Sequence, residues 1–254
     1  MAALIGTSWK MNLTLAEADH WLSTFRPLAG ELPWVDFFVL PPFTALALAR
    51  ERLAGSGIAW GAQDVSPFAN GAHTGDVSAA MLADLGCRYV EVGHAERRRD
   101  HGEDPAMIAA KVRAILGVGM DVVLCTGEPD EAPVEVAIPA VMADIGRCLD
   151  GVVTADLGRV VIAYEPIWAI GEGRRPAPSD RVGHIHRAIA ERLGGTGANR
   201  SRIIYGGSVD AASAPRLLAE PGVDGLFIGR HGLDPLGFAA IARATPAPQQ
   251  AGIR

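Results

Sequence analysis

Short apolar runs alternate with amphipathic stretches along the whole 254-residue chain, and this alternation is the strongest constraint on its fold. Apolar runs of strand length suit strands that are buried on both faces, and the amphipathic stretches suit helices that cover them. The alternation repeats eight times at about 32 residues per unit, close to the length of a closed eight-stranded barrel. We predict an α/β fold, a single (β/α)8 barrel, with an open doubly wound sheet as the alternative because alternation does not prove closure.

The predicted elements are defined by their periodicity. The strands are expected at Ala2–Ser8, Val35–Leu40, Ile58–Ala62, Tyr89–Val92, Val122–Cys125, Val160–Tyr164, Ile203–Tyr205 and Gly225–Ile228. The helices are expected at Leu15–Leu28, Ala45–Ala54, Ala79–Leu85, Pro105–Val118, Val134–Leu149, Asp180–Leu193, Ala211–Leu218 and Leu236–Ala242. We expect residues 1–244 to form one barrel domain and residues 245–254, rich in Pro, Gln and Gly, to form a flexible C-terminal tail.

Charge and composition exclude several classes of function. The formal net charge of −6 argues against nucleic acid as a partner, although Arg97–Arg99 could bind an anion locally. No apolar run reaches the roughly 18 residues of a membrane-spanning helix, and no membrane partner is expected. The N-terminus lacks the pattern of a secretory signal, so we expect a cytoplasmic protein. Three cysteines without paired or metal-type spacing are interpreted as reduced and structural.

Polar groups and glycine-containing loops follow five of the predicted strands. Lys10 follows the first strand, His94 the fourth and Glu165 the sixth. The loops Gly206–Ser208 and Gly229–Arg230 follow the seventh and eighth strands. In a parallel barrel the carboxyl ends of all strands meet at one rim, where active sites lie. We therefore expect an ammonium group, an imidazole and a carboxylate to share this rim with two loops.

The carboxylate of Glu165 ends the apolar run VVIAY and is followed by Pro-Ile-Trp. Desolvation in such surroundings raises the pKa of a carboxyl group and makes it a better base. The small residues of Ala169–Gly173 suit a hinged lid over a substrate. The alternative is a buried strand that ends in a salt-bridged glutamate before an ordinary loop.

The two glycine-containing loops favour a phosphate site, because backbone N–H groups there can approach an anion closely. The other groups would then face the opposite end of a small phosphorylated sugar. Glu165 would remove a proton from carbon, His94 would polarise the carbonyl group, and Lys10 would stabilise the developing oxyanion. This chemistry requires no metal and no organic cofactor.

Six motifs make the chain resemble triosephosphate isomerase. They are SWKMN at Ser8–Asn12, GAHTGDVS at Gly71–Ser78, YVEVGHAERR at Tyr89–Arg98, AYEPIWAIGEG at Ala163–Gly173, YGGSV at Tyr205–Val209 and DGLFIGR at Asp224–Arg230. They occur in the family's order and span nearly the whole chain. The resemblance implies a cofactor-independent sugar-phosphate isomerase of carbohydrate metabolism, an intramolecular oxidoreductase that works through an enediolate.

The resemblance also implies roles for single residues. The family's lysine, electrophilic histidine, base and lysine-contacting glutamate match Lys10, His94, Glu165 and Glu96. Positions around the substrate and its phosphate group match Ser8, Gly171, Ser208, Gly229 and Arg230. The Gly71–Ser78 loop matches the loop that family dimers insert into the partner subunit. Thr74 would then touch the neighbour's active site in a homodimer.

Departures from the family lie where substrate length and phosphate geometry are set. Ser8 stands where the family has asparagine, and its shorter side chain leaves space near the substrate. Arg230 stands where the family usually has a second glycine, and it adds a charged fork beside the phosphate group. GTSWKMN, AIGE and IGR are similar to paralogues that interconvert four-carbon ketose phosphates in erythritol breakdown.

These similarities favour conversion of L-erythrulose 1-phosphate to D-erythrulose 4-phosphate by the same enediol chemistry. Triosephosphate isomerase proper, which interconverts dihydroxyacetone phosphate and D-glyceraldehyde 3-phosphate, is the alternative. A second alternative is a barrel that binds a sugar phosphate without turning it over, because Ser8 and the changed lid could reflect relaxed catalysis. Retention of Lys10, His94 and Glu165 together argues against that second alternative.

Overall fold

The structure, a computed structural model, describes residues 2–171, 174–194 and 200–247. Its strands are β1 (Ala3–Ser8), β2 (Val35–Leu40), β3 (Ala59–Ala62), β4 (Tyr89–Val92), β5 (Asp121–Thr126), β6 (Val160–Tyr164), β7 (Arg202–Tyr205) and β8 (Gly225–Ile228). Each strand pairs in parallel with the next, and β1 also pairs with β8, so the sheet closes on itself. The predicted barrel is confirmed, and the open-sheet alternative is wrong.

The helices cover the outside of the barrel. They are α1 (Leu15–Gly30), α2 (Leu46–Leu53), α3 (Ala79–Leu85), α4 (Ala95–His101), α5 (Pro105–Gly117), α6 (Val134–Cys148), α7 (Ser179–Leu193), α8 (Ala214–Ala219) and α9 (Pro235–Ala242). The prediction missed α4, because its mostly charged residues bury none of their side chains and show no apolar period. It also began α8 too early, since Asp210 accepts hydrogen bonds from the N–H groups of Ala212 and Ser213 in a turn.

Both faces of the sheet are buried. Tyr89, Val123 and Cys125 belong to the apolar cluster inside the barrel, whereas Val122 and Leu124 belong to the cluster between the sheet and the helices. This two-residue alternation is that of a β-strand. Because apolar groups cover both faces, the strands appear in the sequence as unbroken apolar runs.

Capping residues fix where each strand–helix unit turns. Thr14 and Glu17 form a reciprocal capping box at the start of α1. Asp104 caps α5, whose first residue is Pro105. Gly86 ends α3 with a left-handed φ of 88°, which glycine adopts without strain. These turns return the chain so that all strands run in one direction and end on one rim.

The proposed C-terminal tail begins at a packed residue. Thr245 is buried, and its carbonyl oxygen accepts a hydrogen bond from the indole N–H of Trp34 at 3.3 Å. Residues 248–254 lie outside the described residues, so the division at residue 244 stays a prediction. In the part of the chain that the structure describes, no helix is both long enough and apolar enough to cross a bilayer.

Candidate active site

A cavity of about 520 Å³ opens at the carboxyl ends of the strands. Lys10, His94 and Glu165 all line it, together with the loops 206–208 and 229–231. The side chains that the sequence places after β1, β4 and β6 therefore share one cavity with the loops after β7 and β8. This arrangement brings a cation, an imidazole and a carboxylate within reach of one small ligand.

The Glu165 carboxyl group is held out of water at the mouth of the barrel, where the residue is only 4% exposed. Its Oε2 atom lies 3.5 Å from Nε2 of His94 and has no hydrogen-bond partner among the described residues. Burial, reinforced by the nearby Glu91 carboxylate, raises the pKa of Glu165 from 4.5 to about 8. Glu165 is thus a carboxyl group whose ionised form would be an unusually strong base.

The His94 ring is held in one tautomer by the start of α4. Its Nδ1 atom accepts a hydrogen bond from the backbone N–H of Glu96 at 3.1 Å. A neutral ring that accepts at Nδ1 carries its proton at Nε2. Burial and the positive charge of Lys10 lower the pKa of His94 from 6.5 to about 4. At neutral pH the ring is therefore an uncharged donor that offers Nε2–H near Glu165.

The Lys10 ammonium group is fixed by Glu96, whose Oε1 atom is 2.7 Å from Nζ. Burial disfavours the charged form, but the hydrogen bond to Glu96 and nearby carboxylates outweigh it and raise the pKa of Lys10. The lysine backbone has a φ of 55°, a strained value for a residue other than glycine. The amide of Gln63 donates to the Lys10 carbonyl oxygen at 3.0 Å, which helps to hold this conformation.

Small residues line the side of the cavity formed by β7 and β8, across the barrel from β4. A Cβ atom at Gly229 would meet nothing within 4 Å, so glycine leaves open space there for a ligand. The Ser208 hydroxyl donates to the carbonyl oxygen of Ala169 at 3.0 Å and ties this loop to the segment after β6. Arg230 is exposed at the rim of the same cavity.

The segment after β6 is anchored by the buried carboxylate of Glu128. This carboxylate accepts hydrogen bonds from Tyr164 at 3.1 Å, Trp168 at 3.0 Å and Arg181 at 2.7 Å. Gly171 follows with a φ of 115°, which a side chain would strain. Of the predicted lid, Ala169–Gly173, residues 172 and 173 lie outside the described residues. The residues from Ala169 to Gly171 thus extend from a segment that the hydrogen bonds of Glu128 hold in place.

Two charged residues of the cavity, Glu91 and Asp210, were not predicted from the sequence, and Glu91 is only 2% exposed. The hydroxyl of Ser8 donates to Oε2 of Glu91 at 2.7 Å, and the Cys125 thiol lies 3.6 Å from its Oε1. Burial raises the pKa of Glu91 from 4.5 to about 7. The available signal was a lone charged residue inside a four-residue strand that is otherwise apolar.

Two other predicted features lie away from the cavity lining. Thr74 is exposed on the Gly71–Ser78 loop and does not line the cavity of its own chain. The arginines at 97–99 all contact carboxylates, namely Asp64, Glu103, Asp144 and Asp100. These contacts argue against Arg97–Arg99 as an anion site. Among the described residues, no group of three or more His, Cys, Asp or Glu side chains could hold a metal ion.

Comparison with known proteins agrees with this site over nearly the full chain. The family model described as "Triosephosphate isomerase" matches residues 3–245. The triosephosphate isomerase of Thermus thermophilus is 43% identical over 244 residues, covering 94% of this chain and 97% of that protein. The triosephosphate isomerase of Symbiobacterium thermophilum is 42% identical over 245 residues, covering 95% of this chain and 96% of that protein.

A solved structure is similar as well. The crystal structure of triosephosphate isomerase from Bartonella henselae superimposes with a TM-score of 0.83 at 30% sequence identity. The match covers 96% of this chain and 99% of that one. The closed barrel, the shared cavity and the similarity over nearly the entire length lead to one conclusion. The chain belongs to the triosephosphate isomerase family of sugar-phosphate isomerases.

Proposed function

We propose that the chain interconverts dihydroxyacetone phosphate and D-glyceraldehyde 3-phosphate. The observation that carries this proposal is the cavity in which Lys10, His94 and Glu165 meet. Relatives at 42 to 43% identity are named triosephosphate isomerase, and those names favour a three-carbon substrate over the four-carbon substrate expected from the motifs. An ionisable carboxyl group opposite a neutral imidazole favours turnover over simple binding.

In the proposed reaction, the Glu165 carboxylate takes a proton from the hydroxymethyl carbon of dihydroxyacetone phosphate. The electron pair of that C–H bond forms the carbon–carbon double bond of an enediolate, and the carbonyl oxygen gains the negative charge. The Nε2–H group of His94 and the ammonium group of Lys10 stabilise this oxygen. His94 then gives its Nε2 proton to this oxygen and takes the hydroxyl proton from the other oxygen, which becomes the new carbonyl oxygen as protonated Glu165 returns its proton to the neighbouring carbon. No net oxidant or reductant is consumed.

The phosphate group is proposed to lie beside Gly171, Ser208, Gly229 and Arg230. The open space at Gly229 supports this arrangement, because an anion can approach the backbone there. Arg230, exposed at the same rim, would add a guanidinium fork. Closure of Ala169–Gly173 over the bound phosphate would exclude water from the enediolate.

The protein is further proposed to act as a homodimer through the Gly71–Ser78 loop. Large apolar side chains are exposed after each of the first three strands, at Met11, Phe43 and Phe68. The Phe68 ring stacks on His73 of the loop with 4.3 Å between ring centroids. All three residues follow neighbouring strands at one rim of the barrel, and exposed apolar surface there would suit a protein interface.

A second candidate reaction is the conversion of L-erythrulose 1-phosphate to D-erythrulose 4-phosphate. The observation that favours it is Ser8, which is shorter than the family's asparagine and leaves room beside the substrate. The same residues would move a proton from the third carbon to the second through an enediolate. This reaction differs from the first only in the extra hydroxymethyl group on the carbon that loses its proton.

One comparison tests both candidates. We expect a single preparation to turn over dihydroxyacetone phosphate with a kcat/KM typical of an efficient enzyme, at least about 10,000 M⁻¹s⁻¹. L-Erythrulose 1-phosphate is assayed alongside, and the larger kcat/KM identifies the preferred substrate. Failure to turn over either compound would contradict the proposed function.

A further inference from the structure

Glu91 is a buried carboxyl group of the cavity for which the proposed reaction has no use. It is the last inward-facing residue of β4, because Tyr89 on the same strand belongs to the cluster inside the barrel while Val90 and Val92 belong to the outer cluster. Glu91 lines the cavity together with Glu165 and His94. A charged group in this position costs desolvation free energy, and Ser8 offsets only part of that cost. Such a group suggests a polar ligand.

The Ser8–Glu91 pair has unused hydrogen-bonding capacity. The Ser8 hydroxyl donates its proton to Oε2 of Glu91, so the lone pairs of the hydroxyl oxygen are available as acceptors. Oε1 of Glu91 has one hydrogen-bond partner among the described residues, the Cys125 thiol at 3.6 Å, and a thiol is a weak donor. The pair therefore offers acceptors for a hydroxyl proton at the deep end of the cavity.

The charge of the pair decides which end of a sugar phosphate it faces. Two buried carboxyl groups, Glu91 and Glu165, flank the Cys125 thiol, with an oxygen of each 3.6 Å from Sγ. Glu165 has to be ionised to react, so at least one of these groups is negatively charged in the active form, and a phosphate dianion beside it would be repelled. The small residues of the β7 and β8 loops lie on the far side of the barrel from β4. The pair thus faces the end of the substrate that carries no phosphate.

A three-carbon ketose phosphate has two reacting oxygens, and Lys10 and His94 already interact with them in the proposed reaction. We infer that Ser8 and Glu91 form a hydroxyl-binding subsite that accepts one further hydroxymethyl group, on the carbon that loses its proton. This inference rests on the proposed isomerase function and specifies its substrate class. It makes Ser8 and Glu91 specificity-determining residues that let the cavity accept a four-carbon ketose phosphate in addition to the three-carbon substrate.

The test measures kcat/KM for L-erythrulose 1-phosphate and for dihydroxyacetone phosphate, expressed as a ratio, in wild type and variants. We expect Glu91→Leu, which keeps volume but removes both acceptors, to lower the four-carbon to three-carbon ratio by roughly 10-fold or more. Glu91→Gln keeps one acceptor oxygen and is expected to hold the ratio within about threefold of wild type. Ser8→Ala, which removes a single hydroxyl, is expected to lower the ratio and serves if Glu91→Leu does not fold.

A matched control is Glu103→Gln, a buried carboxyl group that contacts Lys111 and Arg97 outside the cavity lining. It is expected to leave the substrate ratio unchanged even if stability falls. The ratio separates the subsite from an effect of Glu91 on the pKa of Glu165, because that effect would change both substrates alike.

The outcomes separate the two proposals. Equal losses for both substrates in Glu91→Leu and Ser8→Ala would overturn the subsite. Wild-type turnover of dihydroxyacetone phosphate alone would also overturn the subsite while leaving the isomerase function intact. Absence of turnover with both substrates would contradict the proposed function and, with it, the subsite.

Discussion

The Glu165 side chain shows how one residue acquires its chemistry from its surroundings. It ends a buried strand, faces a neutral imidazole and shares the Cys125 thiol with a second carboxyl group. These surroundings disfavour its charged form and raise its pKa to about 8. Strong basicity and an energetic cost of ionisation therefore have the same physical origin.

The pH dependence of catalysis is expected to report this raised pKa. Glu165 must be ionised to accept a proton, so kcat/KM should rise with pH and level off only above about pH 8. Because Glu91 titrates beside it, the rise belongs to the pair, and Glu91→Gln should shift the midpoint to lower pH. The measurement is a kcat/KM profile from pH 5 to 9, corrected for ionisation of the substrate phosphate. A midpoint near the ordinary glutamate value of 4.5 would contradict the assignment.

The pH dependence of stability is expected to show the cost of the same ionisation. Between pH 4.5 and about 8 the unfolded chain has lost the Glu165 proton while the folded chain keeps it, so stability falls as pH rises through this window. Glu165→Gln cannot ionise, so its Tm should not fall for this reason. The Tm of the variant minus that of wild type should therefore be larger at pH 8 than at pH 5, by about 3 °C or more. Calorimetry of both proteins measures the difference, and a gap independent of pH would be inconsistent with a buried ionising base.

Sequence reasoning reached Lys10, His94 and Glu165 because each follows a strand, and the rim of a parallel barrel gathers strand ends. It missed Glu91, although a lone charged residue in an otherwise apolar strand was a signal. That residue lies inside a short strand, and only the closed structure shows that its side chain faces the cavity and meets Ser8 from β1. A contact between residues 83 positions apart leaves no periodic trace in the sequence.

At the scale of structural elements, the loop after β7 lies directly against the Glu165 side chain. A Cβ atom at Gly206 would lie 2.6 Å from Cγ and 2.7 Å from Oε1 of Glu165, closer than real Cβ contacts. Glycine is therefore required for the carboxylate to occupy its observed position. The loop and the end of β6 are also joined by a hydrogen bond from Gly206 N–H to the Tyr164 carbonyl oxygen at 2.9 Å.

Replacement of this glycine is expected to misplace the base without unfolding the barrel. Gly206→Ala should lower kcat by roughly 100-fold, because displacement of a reacting group by about 1 Å is costly. Steady-state kinetics with a circular dichroism melt measure the two effects. Gly30→Ala is the control, since a Cβ atom there meets nothing within 4 Å. Wild-type kcat in Gly206→Ala would mean that Glu165 has more freedom than the structure allows.

Element prediction succeeded where periodicity and capping signals coincided. The helix predicted to begin at Pro105 does begin there, with Asp104 as its capping residue. The prediction failed at α4, where a short charged helix buries no side chain, and at the start of α8, where the Asp210 turn delays the helix. In both cases a local hydrogen-bonding pattern, rather than an apolar period, decides the structure.

At the scale of the whole molecule, closure of the sheet is what brings distant residues together. Alternation predicted eight units, but only the pairing of β1 with β8, in which Leu4 lies beside Gly225, shows that the sheet is a barrel. A Cβ atom at Gly225 would overlap the Leu4 backbone. This overlap arises because β1 and β8 pack closely where the barrel closes, and no single strand–helix unit of the sequence reveals that contact.

Assembly is the second property at this scale, and the proposed homodimer is directly testable. We expect sedimentation to give twice the chain mass of 26.6 kDa. Thr74→Arg should shift the protein towards monomer and lower kcat/KM, because the charge would be buried in the partner subunit. Val153→Arg, at a residue that is 60% exposed and distant in sequence from the loop, is the control. A monomeric wild type with full activity would contradict the dimer.

The central claim is that Glu165 transfers a proton at carbon in a cavity shared with His94 and Lys10. The most direct test is NMR in heavy water, which follows deuterium entering the hydroxymethyl carbon of dihydroxyacetone phosphate. We expect exchange with wild type and a loss of roughly 100- to 10,000-fold with Glu165→Gln, which keeps the shape of the side chain but removes the base. Exchange at the wild-type rate in folded Glu165→Gln would contradict the account.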